Sequence, residues 1–354
     1  MAKQRIAVLF GGASKDHSVS LKSAYSVLCG LPKDQYEVIP IGITRAGRWL
    51  FFPGEYSAIP DGSWENDSDC CSAVLSPDPI HSGIIKILGD GDMSLQRIDV
   101  IFSVLHGKYG ECGRIQGLCK LTGIAYTGME SDAANACTDK MLTHLILDKA
   151  GLNTAKYYYI ERASMNNIEQ ELDKIEQLLP YPLFVKAASC SSSIGANYVD
   201  NREELLAAIK IAFSHHHKAI VEEAIYGRDI AVAVTGNTYG LEVTPLGEII
   251  PNDSIVDSNA KYISKTSEFV CPAGVESEKA DQIKAMALKA YQALGCKGYA
   301  VVHFTLGDKI YCTKVCNIPG MTEENIFPQL MKAADYSYGE LLERLISLAI
   351  EARA

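Results

Sequence analysis

The chain has 354 residues, 47% of them hydrophobic and 21% charged, enough for two or three compact domains with substantial cores. Its net charge of −10 argues against nucleic acid as a partner, because binding a phosphate backbone needs a concentrated basic surface. No apolar run approaches the roughly 20 residues that cross a bilayer, so no membrane partner is expected.

The opening MAKQRIAVLFGG has a basic start, but its apolar part runs into glycines without a small-residue cleavage site. It reads as a first β-strand, IAVLF, closed by Gly11 and Gly12, and not as a leader. A helix is expected from Ser18 to Leu28, then a strand at YEVIPIGI. RAGRWLFF opens an irregular stretch, and residues 57–79, rich in Asp, Ser and Pro, predict a surface excursion. IDVIFSVLHG is a further apolar strand, GRIQGLCKLTG a short helix and IAYTG a strand. This strand–helix alternation predicts an α/β first domain over residues 1–130.

One helix is expected from Asp132 to Ala150, apolar at Ala136, Leu142, Leu145 and Ile146. A helix at Asn167–Leu179, the strand LFVKA, the small-residue loop SCSSSIG and a helix at Arg202–Ser214 complete a second unit over 131–218. HKAIVEEAIYGRDIAVAVTGN leads into the third unit, 219–354, as a linker strand feeding an antiparallel sheet. Residues 275–294 form a lysine-rich amphipathic helix with Gly295 as its stop. YAVVHFTL and KIYCTK make a hairpin about a Gly-Asp turn, and SYGELLERLISLAIEAR is a final amphipathic helix. The eleven cysteines show no disulfide-like framework, and Cys29, Cys119, Cys137 and Cys296 fall in apolar segments. Reduced thiols in a cytoplasmic protein are expected.

Eight segments then stand out together: FGGASKDHSVSLKSA, VLHGKYGECGRIQG, GMESDAANACTDK, YPLFVKAASCSSSIG, VEEAIYGRDIAVAV, AKYISK, GCKGYAVVHF and NIPGMT. In this order and spacing they resemble the D-alanine–D-alanine ligase family. The IPIGITRAGRW segment places the resemblance nearest the vancomycin-resistance branch that makes D-alanyl-D-serine. The resemblance covers nearly the whole chain. It implies an ATP-grasp fold of three α/β domains, with ATP in a cleft between the central and C-terminal domains. It also implies a magnesium requirement and a homodimer. In such enzymes one D-alanine carboxylate is phosphorylated, and the amine of a second amino acid attacks the acyl phosphate. Preorganised cations and a lid that excludes water suit that chemistry.

Carried over position by position, the resemblance puts Asp16 on the ammonium of the first substrate, with Ser18 where a second glutamate is common. Asp16 read alone is a solvent-facing loop acid. His106 and Gly107 match a histidine–glycine pair near the first substrate; Glu111 is kept, and Cys112 replaces an aspartate. Lys140 and Lys186 match the lysines that contact nucleotide phosphates, a role suited to a compact cation. In the loop that follows, Ser192, Ser193 and Gly195 remain, while Ala187, Cys190 and Ser191 depart from the pattern. Glu222 and Ile225 match the hinge that meets adenine, Asp229 the acid that holds ribose, and Glu223 is a bystander. Lys261 and Tyr262 match the lid, with Ser258 in place of a tyrosine. Gly320 and Asn325 fall where the second amino acid is contacted, Glu323 and Glu324 beside them.

The closing hairpin departs furthest. The family's magnesium-binding aspartate, glutamate and asparagine fall on His303, Lys314 and Cys316, and its phosphoryl-stabilising arginine falls on Val301. Histidine, thiol and protonated lysine are poor partners for a hard cation that demands oxygen donors. Asp, Glu and Arg sum to −1, whereas neutral His, Lys and Val sum to +1, a change equal to the charge of one magnesium ion. No metal ligand is therefore assigned, and Lys314 is expected beside the nucleotide. A soft-metal site is the alternative, since Cys312, Lys314 and Cys316 alternate along one strand. Its two sulfurs would lie roughly 13 Å apart, too far to share one ion.

The expectation is a D-alanine–D-alanine or D-alanine–D-serine ligase homologue with impaired or lost turnover, and with binding of ATP or ADP retained. An active ligase with an altered acceptor or replacement metal ligands (Glu248 or Asp253) is one alternative. A non-catalytic regulatory or partner-binding module is another.

Overall fold

The computed structural model describes residues 3–189, 197–251 and 267–353. Among these residues the strands form three sheets. The first begins with β1 (Gln4–Gly11), which leads into α1 (His17–Gly30) and returns as β2 (Tyr36–Ile43), parallel to β1. β3 (Trp49–Phe51), β4 (Cys71–Leu75), β5 (Gly83–Ile87) and β6 (Met93–Arg97) then extend one side of the sheet in antiparallel fashion. β7 (Val100–Ser103) and β8 (Ala125–Tyr126), joined through α2 (Arg114–Thr122), extend the other side in parallel. β1 reads as an unbroken apolar run because both faces of the sheet are covered. Val8 and Phe10 pack with α1, and Ala7 and Leu9 pack on the α2 side.

The expected excursion at 57–79 is not a surface segment throughout. It holds a strand, β4, and carries Trp64 into the core, where its ring meets Phe10 and Phe52 edge-on at 5.0 and 6.1 Å. Gly42 leaves room for that ring, since a Cβ there would lie 2.2 Å from it.

The single helix expected over 132–150 is two. α3 (Ser131–Thr138) stops, and Asp139 caps α4 (Lys140–Lys149), its carboxylate accepting from the backbone N–H groups of Met141 and Leu142. An aspartate with extended backbone is a strong N-cap, and here it overrides an otherwise continuous helical pattern. β9 (Tyr157–Glu161), α5 (Ile168–Leu178), β10 (Leu183–Ala187), β11 (Asn197–Val199), α6 (Arg202–His215) and β12 (Lys218–Glu223) follow. Their strands make a four-stranded antiparallel sheet, with α5 and α6 packed over its core. β12, expected to feed the next unit, hydrogen-bonds to β9 and β10 within this sheet.

The third sheet contains β13 (Arg228–Gly236), β14 (Glu242–Val243), β15 (Gly247–Pro251) and β16 (Ser267–Val270). Past α7 (Ser277–Ala293), β17 (Gly298–Leu306) pairs with β13 along its whole length and turns back as β18 (Ile310–Cys316). Gly295 follows α7 at φ +67°, the left-handed stop expected of it. One face of this sheet, with Ala300, Val302 and Phe304, packs on α7. The other, with Ala231, Ala233 and Val301, joins the core of the first domain through α8 (Ile326–Lys332) and α9 (Tyr338–Arg353). No helix among the described residues is long and apolar enough to cross a membrane. The ten described cysteines form no disulfide; Cys29 is exposed, and Cys119, Cys137 and Cys296 are buried.

Candidate functional site

A cavity of about 370 Å³ opens between the four-stranded and six-stranded sheets. It brings together Lys140, Lys186, Glu222, Ile225, Asp229 and Lys314, along with Glu111 and His303. Lys140 and Asp229 come from the starts of elements, Lys186, Glu222, His303 and Lys314 from strands, and Glu111 and Ile225 from loops. Lys140 is the first residue of α4, and its backbone N–H and Nζ donate to the carbonyls of Ala188 and Ala187, past the end of β10. Lys186 sits on β10 and Glu222 on β12, where Glu222 pairs in register with Phe184, two residues before Lys186, while Asp229 lies at the start of β13.

Glu222 is the electrostatic centre of the hinge. Its carboxylate accepts from Lys186 Nζ at 2.5 Å and meets His144 Nε2 at 3.1 Å. Burial alone would raise its pKa; the charge of Lys186 and the hydrogen bond from His144 overcome this and hold it below the ordinary carboxylate range. The buried Nδ1 of His144 has no hydrogen-bond partner among the described residues. Sequence reasoning passed over His144. The available signal was its spacing, four residues after Lys140, which places both on one face of α4. Glu223 acts structurally, accepting from the Lys156 backbone N–H at 2.8 Å.

The hairpin side is built differently from the expectation. A β-bulge between His303 and Phe304 pairs His303 with Lys314 but Phe304 with Cys312, leaving Thr313 as the extra residue. Thr313 Oγ1 donates to the His303 carbonyl at 3.2 Å. The expected alternation of Cys312, Lys314 and Cys316 is thereby broken. Cys312 and Val315 enter the core beneath α7, whereas Lys314 is exposed and Cys316 packs toward the other core.

Burial, reinforced by the charge of Lys314, pushes the His303 imidazole down to about 3, so it is neutral. Burial pushes the Cys312 thiol up to about 12 and also raises that of Cys316. These groups do not fit a hard divalent cation, and among the described residues no group of three His, Cys, Asp or Glu side chains could hold a metal ion. Glu248, weighed above as a replacement ligand, is engaged by Arg228 at 2.8 and 2.6 Å. Asp253 lies outside the described residues, as do Ser192, Ser193, Lys261 and Tyr262. The remaining lining does fit an adenine nucleotide: lysines for phosphates, a strand-end hinge at Glu222–Ile225 and a carboxylate at Asp229.

Asp16, His106 and Gly320 do not line this cavity; they gather at the edge of the first sheet, joined to it through Glu111. Glu111 accepts from the Gly107 backbone N–H at 2.8 Å and feels the charges of Lys314, Asp16 and Lys140. Its pKa is raised, burial outweighing the rest. Asp16 is held close to Gly107, where a Cβ would lie 2.8 Å from its Oδ2. His106 is buried and meets Ser23 Oγ at 3.3 Å, and the same oxygen accepts from the Met321 backbone N–H at 3.2 Å. Ser23, unnoticed in the sequence, thus ties His106 to the loop holding Gly320. Gly320 packs on the Asn325 amide, which would lie 2.5 Å from a Cβ. Asn325 Oδ1 is itself occupied by Thr322 N and Oγ1 at 2.9 and 2.8 Å.

Comparison with known proteins agrees with this arrangement. Residues 5–129 match the family model for the D-Ala–D-Ala ligase N-terminus, and residues 146–347 match the model for its C-terminus. The D-alanine–D-alanine ligase of Thermoanaerobacter sp. (strain X514) is 39% identical, over 99% of this chain and 98% of its own. D-alanine–D-alanine ligase B of Clostridium tetani is 36% identical over 99% and 94%. The crystal structure of VanG D-Ala:D-Ser ligase from Enterococcus faecalis superposes with a TM-score of 0.90 at 35% identity, covering 98% of this chain and 100% of that one. By sequence and by architecture the chain belongs to the D-alanine–D-alanine ligase family and has its ATP-grasp fold.

Proposed function

We propose that the cavity is an adenine-nucleotide site and that the chain acts on small D-amino acids, the substrates named in its relatives. The observation that carries this reading is the convergence of Lys140, Lys186 and the Glu222–Asp229 hinge on one cavity. Joining D-alanine to a second D-alanine or D-serine is the reaction the relatives favour. In it Lys140, Lys186 and Lys261 would meet the phosphates and Asp16 the ammonium of the first amino acid. His106, Ser192, Tyr262 and Gly320 would surround the reacting groups. Bound ATP supplies the phosphoryl group that activates the carboxylate. The side chains of this chain bind, orient and exclude water around it.

A second reading rests on the hairpin. With His303 neutral and Cys316 a thiol, the described hairpin residues at 303, 314 and 316 offer no side-chain oxygen donor to align a triphosphate for in-line transfer. Under this reading nucleotide is bound and turnover is slow or lost, as in a regulatory or partner-binding member of the family. The assay that separates the two supplies purified chain with ATP, magnesium and D-alanine, with and without D-serine, and follows phosphate release. Amino-acid-dependent release well above the no-enzyme rate establishes the ligase. Saturable ATP binding without that release establishes the second reading, and absence of ATP binding overturns both.

A further inference from the structure

Lys314 enters the second reading only as a missing oxygen donor, and its own charge has so far been given no role. It stands on β18 opposite His303 at the bulge, exposed toward the cavity, and its side chain forms no hydrogen bond or ion pair among the described residues. The neighbouring acids are otherwise engaged: Glu222 by Lys186 and the His144 ring, and Glu248 by Arg228. Of the other acids in the cavity, Glu223 is tied to the Lys156 backbone and Asp229 reaches Thr305. The charge of Lys314 falls on Glu111, His303 and Cys316, of which only the first is an acid. A lysine is a compact, strongly hydrated cation on a flexible stem, able to approach a phosphate oxygen as a point charge. Among the described residues, no group of three His, Cys, Asp or Glu side chains around it could hold a divalent ion.

We infer that Lys314 takes the place of a divalent ion in this cavity, so that the chain binds a nucleoside di- or triphosphate in its metal-free form. This rests on the nucleotide reading above and deepens it. Magnesium bound to the free nucleotide would add a charge beside Lys314 without gaining a protein ligand, so chelation should cost little affinity. The same substitution leaves phosphate orientation to a mobile side chain, in keeping with binding that outlives turnover.

The test is calorimetric titration of the full chain with ATP, and separately with ADP, in EDTA and in millimolar magnesium. The expected dissociation constants in the two buffers agree within about threefold. In EDTA, Lys314→Gln weakens binding by about tenfold or more and Lys314→Arg recovers most of it, whereas Lys314→Glu makes binding depend on magnesium. Circular dichroism of each variant checks the fold, and the exposed position of Lys314 favours its retention. Binding that requires magnesium in the unaltered chain overturns the inference and leaves the nucleotide reading standing. Unchanged affinity of Lys314→Gln in EDTA does the same. Failure to bind in either buffer overturns both.

Discussion

Replacing Lys186 by Met strips a buried carboxylate of its main counter-charge. Glu222 is 9% exposed at its side chain and Lys186 20%, so solvent screens the pair weakly. Breaking a buried pair from one side costs about 3 kcal/mol or more, because the remaining charge stays desolvated. Lys186→Met is therefore expected to lower the denaturation midpoint by about that amount, and adding Glu222→Gln should restore most of it. A double variant no more stable than the single one would show that the pair is not the cause. His106 sets a pH dependence at the same scale. Burial pushes its pKa from 6.5 down to about 4, with the Asp16 charge and the Ile318 backbone opposing in part. The unfolded chain thus binds more protons between those values, and stability is lost as pH falls through that window. The neutral His303 acts in the same direction. On this linkage the stability at pH 7 exceeds that at pH 4 by about 3 kcal/mol from His106 alone. Urea midpoints across that range would measure it, and His106→Gln should flatten the profile; an unchanged slope would reject the assignment.

At the scale of elements, two breaks in regular structure shape the site. Asp139 divides the expected long helix, and the new N-terminus brings Lys140 to the end of β10. The bulge in the closing hairpin turns Lys314 away from Cys312 and toward the cavity. Neither break shows in hydrophobic periodicity, since a cap or a bulge shifts direction without changing composition. The segment between β3 and β4 has a parallel explanation. Its Asp, Ser and Pro content reads as surface, yet Trp64 anchors it between Phe10 and Phe52 with no exposed area. Trp64→Ala is expected to cost about 3–5 kcal/mol, the range for emptying a large buried aromatic site. Unfolding by urea would read this directly, and a loss below about 1 kcal/mol would mean that the segment folds over the gap.

Across the whole molecule, three sheets and the cavity between two of them follow from patterns that were largely visible in the chain. The apolar strands, α7 with its Gly295 stop, the C-terminal helix and the ordered motifs were readable one segment at a time. They could be read because burial of a strand or helix face leaves its period in the local sequence. By itself the sequence determined the family, the main elements and the identities of Lys140, Lys186, Glu222, Asp229 and Lys314. Tertiary structure alone decided that Glu222 pairs with both Lys186 and His144, that Ser23 links His106 to the Gly320 loop, and that the Lys314 side chain faces the cavity with no partner among the described residues. The reason is physical: charge pairing and hydrogen bonding depend on distance in space, and residues such as Ser23 and Met321 are brought together only when separate elements pack.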